Sequence, residues 1–294
     1  MGRHARSRAI HCARGMNRGN RCNKLHGYLW SLGAHGAINC ATTVFILLLR
    51  KGQVLLLLSI DNNHASLLRL LQLADSALPI GSIAHSFGLE TLVAEGTLAV
   101  HQLEQFLADY MQETGRLEVV FCRQGYQLAR VRDESAFVTC WPALNDRLSA
   151  FKIARESRAA SATLGRRFLQ LVCGLTASPR LATALQVAKA RKTDVHYCIA
   201  FGLASSILDI DETLAVLAYL QQALTGLVSA CQRLLPLGQT QASAIVWRLK
   251  PVLLDVAEAS VAAQQWEEEC AVFTPLPDIA STRHPNLPTR LFIS

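Results

Sequence analysis

The stretch from Leu217 to Cys231, LAYLQQALTGLVSAC, decides the fold. Its Leu217, Leu220, Leu224, Leu227 and Cys231 recur at steps of 3, 4, 3 and 4, the period of one helical face. Such a seam packs against an antiparallel helix or across a dimer. Just upstream, Asp209 with Glu212 reads as an N-cap and its N3 partner, so the helix is expected to open there.

The same period extends outward in both directions. Leu67, Leu68 and Leu71 carry it, and so do Leu103, Phe106, Leu107, Tyr110 and Met111. Gly96 and Gly115 sit where helix C-caps belong. One long helix is expected from Leu148 to Cys173, with Arg155, Glu156, Arg158, Arg166 and Arg167 at polar positions. Another should start after Thr240 and bury Val246, Leu249, Leu253 and Val256, with a kink or break at Pro251. No strand alternation follows residue 60. The expected fold is all-α, a single helical bundle domain of roughly eight to ten helices.

Composition agrees. Apolar residues make up 51% of the 294 and charged residues 17%, the reverse of a disordered chain. Aromatics are 6%, fewer than a β-sandwich needs. The longest unbroken apolar runs fall short of a plain membrane span. The nine cysteines are scattered and odd in number, with no CxxC, as expected of reduced and mostly buried thiols in a cytoplasmic protein.

The formal charge of +7 is unevenly placed. Residues 1–60 hold nine basic side chains and no acidic one, leaving 20 basic and all 22 acidic ones to the rest. The chain is therefore read as two parts. Residues 1–60 form a basic extension, disordered over 1–40, with a short hairpin at 42–59 around Arg50-Lys51-Gly52-Gln53. Residues 61–294 form the all-α domain. A basic tail of this kind could bind nucleic acid or a membrane surface, the alternative function for the chain. The simpler reading makes it an extension upstream of a domain already complete from Asn63.

Chemical motifs are sparse. There is no GxxxxGK[ST], GxGxxG or HExxH, so neither a phosphate loop nor a zinc protease site is expected. Ala84-His85-Ser86-Phe87-Gly88 falls one residue short of a GxSxG elbow and lacks the strand that motif requires. His196 and Cys198 could touch a soft metal, but i and i+2 diverge on a helix, which favours a packed histidine beside a core cysteine. No catalytic residue, metal ligand or permanently bound cofactor is assigned.

Five blocks in order carry a resemblance. Leu73-Ala74-Asp75-Ser76-Ala77-Leu78-Pro79-Ile80-Gly81 leads into Ser86-Phe87-Gly88-Leu89-Glu90. Glu156-Ser157-Arg158-Ala159-Ala160-Ser161 is followed by Leu164-Gly165-Arg166-Arg167. Then come His196-Tyr197 with Ala200-Phe201-Gly202-Leu203-Ala204, and Leu235-Pro236-Leu237-Gly238-Gln239-Thr240. Last come Asp278-Ile279-Ala280-Ser281, Arg283-His284 and Arg290-Leu291-Phe292. Over about residues 65–294 the chain resembles the urease accessory protein UreF family. It departs from the family pattern at Cys198, Thr282, Pro285, Pro288 and Ile293.

The resemblance implies a non-catalytic, cytoplasmic, homodimeric nickel-insertion chaperone. Such a protein bridges UreD (also called UreH) and the GTPase UreG, and helps deliver nickel to the urease apoprotein. Nickel is handled by the assembled complex, and neither nucleic acid nor membrane is a partner. Carried over onto this sequence, the partner-binding residues are Glu90, Gln239, Asp278, Ser281, Arg283, His284, Arg290 and Phe292. Glu90 also reads as a carboxylate favouring a helix N-terminus. Within the partner-binding tail at 271–294, the stretch Asp278–Ser294 has no amphipathic period, yet pairs polar anchors with Phe292. It is expected to be mobile alone and ordered against UreD.

Overall fold

A computed structural model describes residues 46–50, 53–57, 62–263 and 274–294. The disorder expected of residues 1–40 lies outside them. The chain divides into two units, Met1–Ala65 and Ser66–Ser294. In the first, β1 (Ile46–Arg50) pairs antiparallel with β2 (Gln53–Leu57), Ile46 opposite Leu57 and Arg50 opposite Gln53.

Helix α1 (Asn62–Leu73) leads into the second unit, which is all-α. There follow α2 (Leu89–Ala94), α3 (Leu103–Tyr110), α4 (Arg116–Leu128), α5 (Glu134–Phe151), α6 (Arg155–Leu175) and α7 (Pro179–Arg191). The remaining helices are α8 (Tyr197–Ile207), α9 (Glu212–Leu234), α10 (Gln239–Arg248), α11 (Lys250–Ala263) and α12 (Pro275–Arg283). Short 3-10 turns lie at Ser82–Ala84, Val100–Gln102 and His284–Asn286.

Helix α8 forms the centre, and every residue from Tyr197 to Ser205 is buried. Its approach to α4 requires two glycines. A Cβ on Gly202 would stand 1.9 Å from the Cys122 carbonyl oxygen, and one on Gly125 would stand 2.4 Å from that of Ile199. The backbones therefore touch where any side chain would hold them apart. Phe168, Tyr197, Phe201 and Tyr219 close an aromatic cluster across α6, α8 and α9.

The seam that opened the reading is internal. Leu220, Leu224, Leu227 and Cys231 are buried within the unit, and Leu217 packs against them half-buried. By length and composition alone α9 could cross a membrane, but its seam makes it a core helix. Two charged networks tie the bundle together. Arg123 pairs with Glu212 at 3.1 Å and donates to Ser260 Oγ and the Ala257 carbonyl, joining α4, α9 and α11. Lys152 pairs with Glu118 at 2.6 Å, and Tyr219 donates to the other oxygen of that carboxylate. Burial works against the Lys152 ammonium, but Glu118 outweighs it and holds the pKa above the ordinary lysine value.

Several local expectations need correction. The cap of α9 is Asp211, whose side chain accepts from Leu214 N–H, not Asp209. Asp209 instead ends α8 in the left-handed region, which Asp tolerates, while Ile210 N–H returns to the Ser205 carbonyl. The helix expected over Leu148–Cys173 is broken at Lys152–Ala154, where the chain turns extended. That break delivers Lys152 inward to Glu118 and leaves its carbonyl to Arg158. Gly115 ends no helix. It has helical φ and closes a π-helical turn, Met111–Gly115, that joins α3 to α4. Gly96, with φ +70°, does follow the end of α2. Pro251 falls in the first turn of α11, and Leu249 separates that helix from α10.

Candidate functional site

The Ser86–Glu90 motif builds a clamp. Phe87 and Gly88 both take positive φ, 53° and 90°, so the chain reverses sharply before α2 begins. Gly88 is needed for space as well, since a Cβ there would lie 2.7 Å from the Pro277 carbonyl oxygen on α12. The reversal puts Glu90 in the first turn of α2, where it is 6% exposed. A carboxylate this deep needs donors, and the carboxy-terminal residues supply them. His284 Nε2 lies 2.7 Å from Glu90 Oε2, Leu291 N–H donates to Oε1 at 2.5 Å, and Phe292 N–H donates to Oε2 at 3.1 Å. Burial alone would raise the Glu90 pKa, but these three donors hold it below the ordinary carboxylate value.

Two further contacts secure the segment. Phe292 is 4% exposed, and the Arg233 guanidinium lies 4.1 Å over its ring centroid. The same guanidinium donates to the Ile83 carbonyl at 2.7 Å. Ile293 N–H donates to the Ala84 carbonyl, and Ser86 N–H to that of Ser294. The tail is therefore docked on its own body, and α12 is a regular helix within it. The expectation of a tail mobile alone fails because Glu90, buried at the head of α2, satisfies the tail's backbone donors.

The eight candidate residues have different fates. Glu90, His284 and Phe292 meet in the clamp. Ser281 is buried beside Gly88 and accepts from Ser157 Oγ at 3.0 Å. Asp278 accepts from Thr274 Oγ1 in the first turn of α12. It also lines a cavity of about 30 Å³ with Tyr110, Thr114, Lys152 and Ser157, room for a water or two. Arg283 is exposed, 3.5 Å from Glu95. Arg290 is exposed and has no ion-pair partner among the described residues. Gln239 opens α10, is exposed and takes no part in the clamp. Arg233 was not foreseen, because an arginine in the last turn of a helix carries no sequence signal of an aromatic ring above it.

Ser86 is fully buried and its hydroxyl accepts from Glu90 N–H at 3.4 Å, the setting of a helix start and not of a nucleophile. His196 is fully buried between Ser149 Oγ and Ser161 Oγ, at 2.8 and 3.1 Å. Burial, then the nearby charges of Lys152 and Arg158, lower its pKa to about 3, so the ring is neutral. Cys198 is buried in the core, and burial pushes its thiol well above the ordinary value. Among the described residues, no three His, Cys, Asp or Glu side chains gather as metal ligands would.

An all-α body that clamps its own carboxy-terminal segment and turns that segment's other side outward has the form of an interaction protein. The UreF family model matches residues 99–250. The chain is 35% identical over 229 residues to the urease accessory protein UreF of Nostoc sp. (strain PCC 7120), covering 77% of this chain and 95% of that one. It is 34% identical over 229 residues to its namesake from Trichormus variabilis, with the same coverage. It is 31% identical over 230 residues to that of Bacillus sp. (strain TB-90), covering 78% and 99%. The chain belongs to the UreF family of urease accessory proteins.

Proposed function

We propose that this chain is a non-catalytic scaffold of urease maturation that bridges UreD and the GTPase UreG, so that nickel passes to the urease apoprotein only within the assembled complex. It works as a cytoplasmic homodimer and holds no permanent cofactor. GTP chemistry belongs to UreG, since no loop of this sequence can cradle phosphates.

The observation that carries the proposal is the clamp. It sorts the tail into an inner and an outer side. Phe292 and the Glu90-bound amides face inward, while Leu291 and Ile293 stand 61% and 71% exposed beside Ile83 at 63%. Arg290 adds an exposed guanidinium without an ion-pair partner among the described residues, suited to paired hydrogen bonds with a carboxylate. Apolar side chains held rigid next to an arginine are what interface cores favour. The occupant proposed for this face is UreD.

The test is calorimetric titration of UreD into the full chain and into a chain ending at residue 277. The shortened chain should lose UreD binding while its α4, α8 and α9 core stays folded. Full UreD affinity without residues 278–294 would refute the proposal.

A further inference from the structure

Helices α10 and α11 carry a second unpartnered face. Trp247, Leu254 and Val261 follow one another at steps of seven residues and are 76%, 57% and 48% exposed. Steps of seven return to nearly the same side of a helix, so Leu254 and Val261 share one side of α11, while Trp247 stands on the last turn of α10. Leu249 N–H bonds back to the Ile245 carbonyl and Leu253 N–H to that of Leu249, so the two helices meet end to end at Leu249. The opposite side, with Ile245, Leu249, Leu253, Val256 and Ala257, is buried in the core.

Charge beside this face selects its occupant. Asp255 and Glu258 are exposed and have no ion-pair partner among the described residues. Arg248 is already forked onto Glu104, with contacts of 2.7 to 3.1 Å, and Lys250 donates to Gln221 Oε1. The flank therefore presents two uncompensated carboxylates. A second copy of this chain would bring four together on one seam, which opposes self-association.

We propose that this face docks an amphipathic helix of a protein partner whose apolar stripe is bordered by Lys or Arg. The proposal rests on the scaffold reading above, to which it adds a second surface apart from the tail. Trp247 would be the anchor, being the residue type most enriched in binding hot spots.

The experiment uses the full chain and purified UreD, UreG and urease apoprotein, each titrated separately. The variants are Trp247→Ala with Leu254→Ala, and Asp255→Lys with Glu258→Lys. All four side chains are exposed, so the melting temperature should hold. Each pair should weaken one and the same partner by about tenfold or more, and wild-type affinity for it should fall between about 50 and 500 mM salt. Unchanged affinity for all three partners in either variant would overturn the proposal. So would a variant that only splits a dimer in sedimentation, which would assign this face to a second copy. If removing residues 278–294 abolishes UreD binding while these variants change nothing, the scaffold reading stands and this surface falls. If the wild-type chain binds none of the three, both fall.

Discussion

Glu90 shows how one carboxylate can hold a segment two hundred residues away in sequence. Its lowered pKa sets a direction for acid. The contribution from its ionised form is fully present above the ordinary value of 4.5 and is lost as pH falls below that, through the folded-state pKa. Protection of the Leu291 and Phe292 amides, taken relative to the intrinsic exchange rate at each pH, should therefore be high at neutral pH and fall in that acid range. Glu90→Gln should accelerate the same amides at neutral pH. His196 behaves differently. Held neutral down to about pH 3, it takes up fewer protons than the unfolded chain below 6.5. Stability should thus fall by roughly 1.4 kcal/mol per pH unit, once well below 6.5, until the folded ring itself protonates. Urea melts of wild type and His196→Gln across that range would measure it, and the variant should lose the slope. At this scale the motif at Glu90 was legible as a helix start but not as a clamp. Its donors are mostly backbone N–H groups, and any residue can supply those.

The elements were more legible, because their signal is periodic. Leu220, Leu224, Leu227 and Cys231 pack as their spacing demands. The misread boundaries share a cause. Lys152 leaves the helical path to reach Glu118, and Asp209 turns left-handed to close α8. Both choices depend on distant partners or on a neighbouring helix end. The contact of α4 with α8 yields a direct prediction. Gly202→Ala places a methyl group 1.9 Å from a backbone oxygen that cannot rotate away. It should destabilise the protein by at least about 1–3 kcal/mol, the usual cost of overpacking, as read from denaturant midpoints. Gly88→Ala should instead act locally, forcing α12 off its seat while the core melts normally. Limited proteolysis within residues 274–294 would report that.

For the molecule as a whole, charge sets residues 1–60 apart in the sequence, with nine basic side chains and no acidic one. The contacts separate Met1–Ala65 from Ser66–Ser294. The buried core lies in the second unit, while Leu67, Leu68 and Leu71, read as a helical stripe, stand exposed on α1. Deleting residues 1–60 should leave a domain with the same helical signal per molecule that still melts cooperatively, as circular dichroism would show. What the sequence hid was how the tail meets the body, since residues 271–294, with four prolines, carry no amphipathic period to read. The tail is ordered in advance by Glu90 and Arg233, so its outer side needs little rearrangement to receive a partner. The most direct test of that account is calorimetry of UreD binding to wild type and to Glu90→Ala, with tail exchange measured on the same samples. The account predicts a loosened tail, an intact helical core and UreD affinity reduced by about tenfold or more. A loosened tail that still binds UreD at wild-type affinity would contradict it.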